Sequence, residues 1–263
     1  MDRADALLTT LAARGGPCLP AVEWLESVTS TSDRLKALAR RGAPEWTAVV
    51  ADLQTGGRGR EGRPWASPAG GLYMSVLLRP RIEKVGLLPL ATGVAVAEAA
   101  EEMGVRTQLK WPNDVLASGR KLAGILCEST SGPAAVEWVV LGIGVNVLVA
   151  PAAAPAGLAG PVTSLAAEGA VGPSVPGMAV AVLARLGVWY DALRSRPDAV
   201  VSAWRMRAAP WWGALVDART ADGLLRGQLR DVDEEGALVI ELGDGERRRL
   251  FCGEVSQVRP AGA

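Results

Sequence analysis

Between Thr107 and Val147 the chain carries four strand-like runs, Thr107–Trp111, Val115–Ala117, Lys121–Glu128 and Val136–Val147, separated by turns such as Ser118-Gly119. Connections this short leave no room for crossover helices, so neighbouring runs must pair antiparallel. That rules out a doubly wound sheet. Upstream, residues 3–14 read as a short helix, Val22–Leu25 as a strand and Gly71–Arg79 (GLYMSVLLR) as a buried strand. Leu90–Gly104 reads as a helix with a small-residue face, and Met178–Arg194 and Asp198–Arg207 as further helices. Thr31 or Ser32 could cap a helix over Asp33–Arg41 that Gly42 ends, with Asp33 early and Arg40 and Arg41 late to suit the helix dipole. Many strands and few interposed helices predict an α+β fold, a mixed β-sheet with helices on one face. From Gly213 the texture changes to short strands divided by glycine turns (GALVDART, LLRGQLRDVD, GALVIELG, RRRLFCG, EVSQVRP), the pattern of a small β-barrel. The expected division is a catalytic domain over 1–210 and a barrel over 211–263. Residues 150–161, APAAAPAGLAGP, read as a low-complexity loop.

Charge and composition narrow the chemistry. Lys and Arg total 28 and Asp and Glu 28, so no global field exists to hold DNA or an anionic membrane. Any anion site must be local. The N-terminus has no apolar signal core, and the roughly twenty residues before the first strand are too few for a separate DNA-binding domain. Cys18, Cys127 and Cys252 are widely spaced and show no metal pattern, which points to a reducing, cytoplasmic setting. Histidine is absent, which removes Ser-His-Asp and Cys-His nucleophile chemistry and histidine-bound metals. Lysine is scarce: Lys36, Lys84, Lys110 and Lys121 stand against 24 arginines. Asn113 and Asn146 are the two asparagines.

Two clusters stand out. The first is Gly56–Arg63, GGRGREGR, in which four glycines and three arginines (Arg58, Arg60, Arg63) follow Gln54. Glycine lets backbone N–H groups approach a ligand and arginine presents forked donors, so this loop suits an anion. Gly57–Gly62 satisfies G-x-G-x-x-G literally, but RPWASPAGG follows where a dinucleotide fold needs a helix, and no Walker-type phosphate loop occurs. The second cluster is Lys110-Trp111-Pro112-Asn113-Asp114 with Arg120-Lys121-Leu122-Ala123-Gly124. Pro, Asn and Asp turn the chain there, and the hairpin gathers Lys110, Asn113, Asp114 and Lys121. A solvated turn and an ordinary hairpin are the structural readings of the two clusters taken singly.

Taken together, GRGREGRPWASPAGGLYMS, KWPNDVL, RKLAGIL, GIGVNV and the later GALVI and GEVSQVR resemble, in this order, the biotin protein ligase family. The likeness runs from about Ser27 to Arg259. It implies a mixed-sheet catalytic domain of the kind shared with lipoate ligases and class II synthetases, followed by an SH3-like barrel, in a monofunctional type without a DNA-binding domain. It implies synthesis of biotinyl-5′-AMP from biotin and ATP with Mg²⁺, then transfer of biotin to a lysine on the biotin carboxyl carrier domain of an acyl-CoA carboxylase. A homodimer is compatible with it; DNA and membrane partners are not expected.

Carried over by residue, the resemblance assigns biotin contacts to Ser30, Thr31, Ser32, Gln54, Gly57, Arg58, Gly59, Arg60, Lys121 and Gly124. It assigns ATP or adenylate contacts to Arg60, Arg63, Trp65, Lys110, Asn113, Lys121 and Asn146. The catalytic set is Arg58, Arg60, Lys121 and Asp114, with no side-chain metal cluster, Mg²⁺ accompanying ATP. Ser32 stands where the family usually has asparagine, and Glu61 where relatives carry a basic or neutral residue. Three alternatives stay open at this point: a lipoate ligase or octanoyl transferase, the latter needing a cysteine such as Cys127; a biotin-sensing repressor; and a noncatalytic adaptor using the barrel.

Overall fold

The strand β3 (Gly71–Leu78) is buried at all of its eight residues, so it has to lie inside a sheet covered on both faces. In the computed structural model, which describes residues 2–131, 136–149, 161–220, 223–251 and 254–257, β3 is the third strand of a seven-stranded sheet. The others are β1 (Val22–Val28), β2 (Ala48–Gln54), β4 (Gln108–Lys110), β5 (Asp114–Ala117), β6 (Arg120–Ser131) and β7 (Val136–Asn146), in the order β1-β2-β3-β7-β6-β5-β4. The β1–β2 pair is parallel and the remaining pairs antiparallel, which is the mixed sheet expected. Ser118 and Gly119, at φ 49° and 70°, make the two-residue turn between β5 and β6.

The helices lie on both faces, where the sequence predicts one. Helices α1 (Arg3–Ala13), α3 (Leu88–Glu101), α4 (Val175–Ser195) and α5 (Pro197–Arg207) bury Leu7, Val94, Leu183 and Val201 in one core with Val50, Met74 and Val76. Helix α2 (Thr31–Arg40) covers the opposite face, where Leu35 and Ala39 meet Val49, Leu77, Trp138 and Val140. The reason is topological. β1 and β2 are parallel, so the chain must cross a sheet face between them, and α2 is that crossover. Its cap also shifts by one residue: the Ser30 hydroxyl, not Thr31 or Ser32, accepts from the Asp33 N–H at 3.3 Å. Thr31 and Ser32 thereby enter the first turn.

The C-terminal SH3-like unit is a five-stranded antiparallel sheet, β8 (Leu215–Thr220), β9 (Gly223–Val232), β10 (Leu238–Glu241), β11 (Arg247–Leu250) and β12 (Glu254–Gln257), ordered β11-β10-β9-β8-β12. Its Val216, Leu229 and Leu238 join the main core, and the Trp111 indole donates to the Gly236 carbonyl at 3.1 Å. The apolar loop read over 150–161 lies outside the described residues except at Pro161.

Candidate functional site

The site lies on the face of the sheet that α2 covers only in part. At one side is a wall of small hydroxyls. Ser75, fully buried on β3, meets the hydroxyls of Thr31 at 2.9 Å and Ser32 at 3.0 Å. The Gln54 carbonyl accepts from the Thr31 N–H at 2.9 Å and the Thr31 hydroxyl at 3.1 Å, while its amide nitrogen donates to the Ser67 hydroxyl at 2.9 Å. Ser30, Thr31, Ser32 and Gln54 thus lie together at this side. Buried polar groups of this kind are stable only when each finds a partner, and this chain of hydroxyls and one amide supplies them.

The floor is made of glycine. Gly124 on β6 pairs with Gly144 on β7, which pairs with Tyr73 on β3; in the next row Leu126, Gly142 and Ser75 align. A side chain would not fit there: a Cβ on Gly144 would come within 2.7 Å of the Trp65 ring, one on Gly124 within 3.0 Å of it, and one on Gly142 within 2.8 Å of the Ser32 hydroxyl. Trp65 therefore lies flat against the sheet, its indole N–H buried without a partner among the described residues.

Trp65 is delivered by the basic loop, which folds as a narrow hairpin-like excursion. Bridges join Gln54 to Ser67 and Arg58 to Pro64, and the Trp65 N–H donates to Gly57 O at 2.9 Å. A Cβ on Gly57 would meet Trp65 O and the Ser67 hydroxyl at 2.6 Å, so glycine is required for the approach. Gly59 donates to Arg63 O, and Arg60–Gly62 forms a single 3-10 turn with Glu61 and Gly62 at positive φ. Arg63 pairs with Glu61 at 3.0 Å. Arg58 forks onto Asp33 in the first turn of α2, with one arm at 2.7 Å. That hydrogen bond, with Lys36 adding to it, lowers the Asp33 carboxyl to about 2. Lys36 also reaches Glu128 at 2.8 Å.

At the far side, Lys121 Nζ stands 2.6 Å from Asp114 Oδ1, a charge contact without hydrogen-bond angles, and 5.2 Å from the centre of the Trp65 ring. A register shift between Val115 and Leu116 sets Leu116 opposite Lys121, and the displaced strand aims the lysine over the glycine floor. Of the predicted hairpin group, Lys110 goes elsewhere: its ammonium lies 5.8 Å from the Trp211 ring centre, beside a small cavity lined with Trp111, Trp204, Leu229 and Leu238. Asn113 and Asn146 spend their amides on the backbone. Asn113 donates to Ile125 O at 2.7 Å, and Asn146 to Thr163 O at 2.9 Å.

Burial pushes the Cys127 thiol up to about 12, with the Glu128 charge adding to it, so it is not a thiolate at neutral pH. A transferase nucleophile there is disfavoured. Among the described residues no group of three His, Cys, Asp or Glu side chains could hold a metal ion. The carboxylate at Lys121 is already engaged by its ammonium.

Sequence reasoning missed Ser75, Ser67, Asp33, Gly142 and Gly144. Two signals were available: Ser75 interrupts an apolar buried run, and the glycines of GIGVN alternate at strand spacing, so both face one side.

Residues 24–146 match the Biotin/lipoate A/B protein ligase family and residues 216–257 the Biotin protein ligase C terminal domain. The chain is 36% identical over 226 residues to the bifunctional ligase/repressor BirA of Bacillus subtilis, covering 84% of this chain and 69% of that one. It is 33% identical over 242 residues to the biotin--[acetyl-CoA-carboxylase] ligase of Paracoccus denitrificans, covering 86% of this chain and 96% of that one. Its fold superposes on the biotin protein ligase from Aquifex aeolicus in complex with biotin and ATP with a TM-score of 0.78 at 31% identity, over 92% of this chain and 100% of the other. With the hydroxyl wall, the glycine floor and the Lys121–Asp114 pair in one place, and with both family models matched in order, the chain belongs to the biotin protein ligase family.

Proposed function

We propose that this enzyme activates biotin with ATP to biotinyl-5′-AMP and then passes biotin to the ε-amine of one lysine on a biotin carboxyl carrier domain of an acyl-CoA carboxylase. The observation that carries the reading is the position of the Lys121 ammonium, between Asp114 and the Trp65 ring above the glycine floor. The apolar floor and the Thr31–Gln54 wall suit a flat bicyclic urea and its thioether ring. The cations suit the carboxylate end.

In the first half-reaction a biotin carboxylate oxygen attacks the α-phosphorus of ATP and pyrophosphate leaves. Two anions meet there, so fixed cations aimed at the phosphoryl oxygens dominate the rate. Lys121 takes that role, with Arg58 and Arg60 from the loop. Mg²⁺ would come with the nucleotide and neutralise part of its phosphate charge. The loop also shields the mixed anhydride from water. In the second half-reaction the acceptor amine attacks the acyl carbon and AMP leaves, with Asp114 orienting or deprotonating that amine. Gly57, Gly59 and Gly124 lend backbone and space to biotin, and Arg63 and Trp65 border the adenylate. Lys110, Asn113 and Asn146 act at one remove, given where their side chains point. We assign residues 1–210 to the catalytic domain and 211–263 to the barrel, and place the enzyme in the cytoplasm. Among the described residues no helix is long and apolar enough to cross a membrane.

The test is to incubate the protein with ATP, Mg²⁺ and biotin, detect bound biotinyl-5′-AMP by mass spectrometry, and then add a carrier domain. Adenylate that forms and is consumed as the carrier gains one biotin on lysine supports the reading. Adenylate from lipoate or octanoate and none from biotin overturns it.

A further inference from the structure

Lys121 is held from a side that its own hairpin does not explain. Its N–H donates to Pro161 O and its carbonyl accepts from the Thr163 N–H, both at 2.9 Å, so residues 161–163 lie beside it through a parallel bridge to Val162. Asn146 fastens the same segment through Thr163 O. This short piece of chain belongs to none of the named strands; its continuation is bonded to the end of β7, the Leu165 N–H to Asn146 O at 2.9 Å and the Ala166 N–H to Val147 O at 3.0 Å.

Glu168 adds a tie between this segment and the 118–120 turn. Its side chain is 9% exposed and its carboxylate accepts from three directions: the Thr163 hydroxyl at 2.6 Å, Arg120 Nη2 at 2.8 Å and the Ser118 hydroxyl at 2.8 Å. Burial alone would raise its pKa. The bonds from Thr163, Ser118 and Arg120 outweigh that, and the carboxyl is held below the ordinary range. Ser118 is a non-glycine residue at φ 49°, a conformation that its hydroxyl bond to Glu168 helps to stabilise. One carboxylate thus ties the turn and the residue just before Lys121 to the segment running alongside it.

We propose that Glu168 is a positioning residue for adenylation, clamping the 118–120 turn and the 161–163 segment so that the Lys121 ammonium is held at its place between Asp114 and Trp65. It rests on the role of Lys121 proposed above. A displacement of about 1 Å at a charge-stabilising group costs roughly a hundredfold in rate, so the effect should be large for a residue that touches no substrate.

Single-turnover formation of biotinyl-5′-AMP, with KM for biotin, would be measured in the wild type, Glu168→Ala, Lys121→Ala and the double variant. Glu168→Ala should lower the rate constant about 10- to 100-fold. KM for biotin should change less than the rate constant, because the Thr31–Gln54 wall is untouched. In the Lys121→Ala background the same substitution should add nothing, since its effect passes through a side chain already gone. Thr163→Val, which removes one arm of the clamp at nearly constant shape, should show the same rate loss in smaller measure. It keeps the test available if Glu168→Ala fails to fold. A full additional loss in the Lys121→Ala background, or wild-type rates in both clamp variants, overturns the inference. Wild-type adenylation by Lys121→Ala overturns the assignment of Lys121 itself and the inference with it.

Discussion

Replacing Ser75 by alanine tests whether the hydroxyl wall is one connected unit. Its hydroxyl is fully buried and is shared by Thr31 and Ser32. When it is removed the two partners fare differently. Thr31 keeps Gln54 Oε1 at 3.1 Å, so its loss is one net hydrogen bond, about 0.5–1 kcal/mol. Ser32, 6% exposed, keeps no other side-chain hydrogen bond among the described residues, so its hydroxyl is left desolvated at a cost of about 1–3 kcal/mol. The expected total is about 1.5–4 kcal/mol, read as a shift of the urea midpoint at constant slope. Adding Ser32→Ala to Ser75→Ala removes the stranded group and should restore about 1 kcal/mol, although Ser32→Ala alone destabilises. If the two substitutions destabilise additively, or if Ser75→Ala costs less than about 0.5 kcal/mol, the hydroxyls are not coupled as described.

Three further outcomes follow from the geometry. Gly144→Ala places a methyl 2.7 Å from the Trp65 ring, so Trp65 must leave the floor; biotin affinity measured by calorimetry should fall about tenfold or more, equivalent to about 1.4 kcal/mol. Lys121→Ala should slow adenylate formation by about 10²–10³, while Arg60→Gly should form the adenylate and let it escape, which rapid filtration of labelled biotinyl-5′-AMP distinguishes. Asp33 is depressed from 3.8 to about 2 by Arg58, so its contribution to stability is complete above about pH 4 and is lost as pH falls toward 2. Because that carboxylate is 42% exposed, solvent screening limits the contribution to about 1 kcal/mol or less, and the stability gap between wild type and Asp33→Asn should close over that acid range and stay constant from pH 5 to 7.

Local patterns were legible wherever a short stretch of chain determines its own geometry. The hairpin through Ser118-Gly119 follows from two residues able to adopt positive φ between strand-like runs, and the buried β3 from eight residues with no charge. Where three neighbours could serve equally, the sequence could not choose. Ser30, Thr31 and Ser32 are all competent caps, and the choice of Ser30 depends on Gln54 and Ser75 engaging the other two from distant strands. The placing of α2 on the opposite face from the other helices is likewise a property of the parallel β1–β2 pair, which no local pattern announces. Hairpin spacing grouped Lys110 with Asp114, and the two do pair across β4 and β5, while the Lys110 ammonium lies over Trp211, more than 100 positions later in the chain. The resemblance assigns both asparagines to the adenylate, and each donates its amide to backbone on a neighbouring segment.

The pairing of charges explains how a loop so rich in arginine can pack against the sheet in a chain of zero net charge. Arg58 is matched by Asp33, Lys36 by Asp33 and Glu128, and Lys121 by Asp114. Unmatched cations this close would repel one another and hold the loop off the sheet, so the acids allow the site to be assembled before substrate arrives. On the proposed reaction an anionic substrate meets Lys121 where it stands, beside Asp114 and the Trp65 ring, and a phosphate oxygen shares the ammonium with the carboxylate. Lys121 stands 2.6 Å from Asp114, so on the proposed reaction the acyl phosphate that Lys121 holds lies within reach of the carboxylate that receives the amine. Asp114→Asn should therefore leave adenylate formation within about threefold of wild type and slow transfer to the carrier by about 10²–10⁴, the usual worth of a general base. Equal slowing of both half-reactions would show that Asp114 serves only to place Lys121.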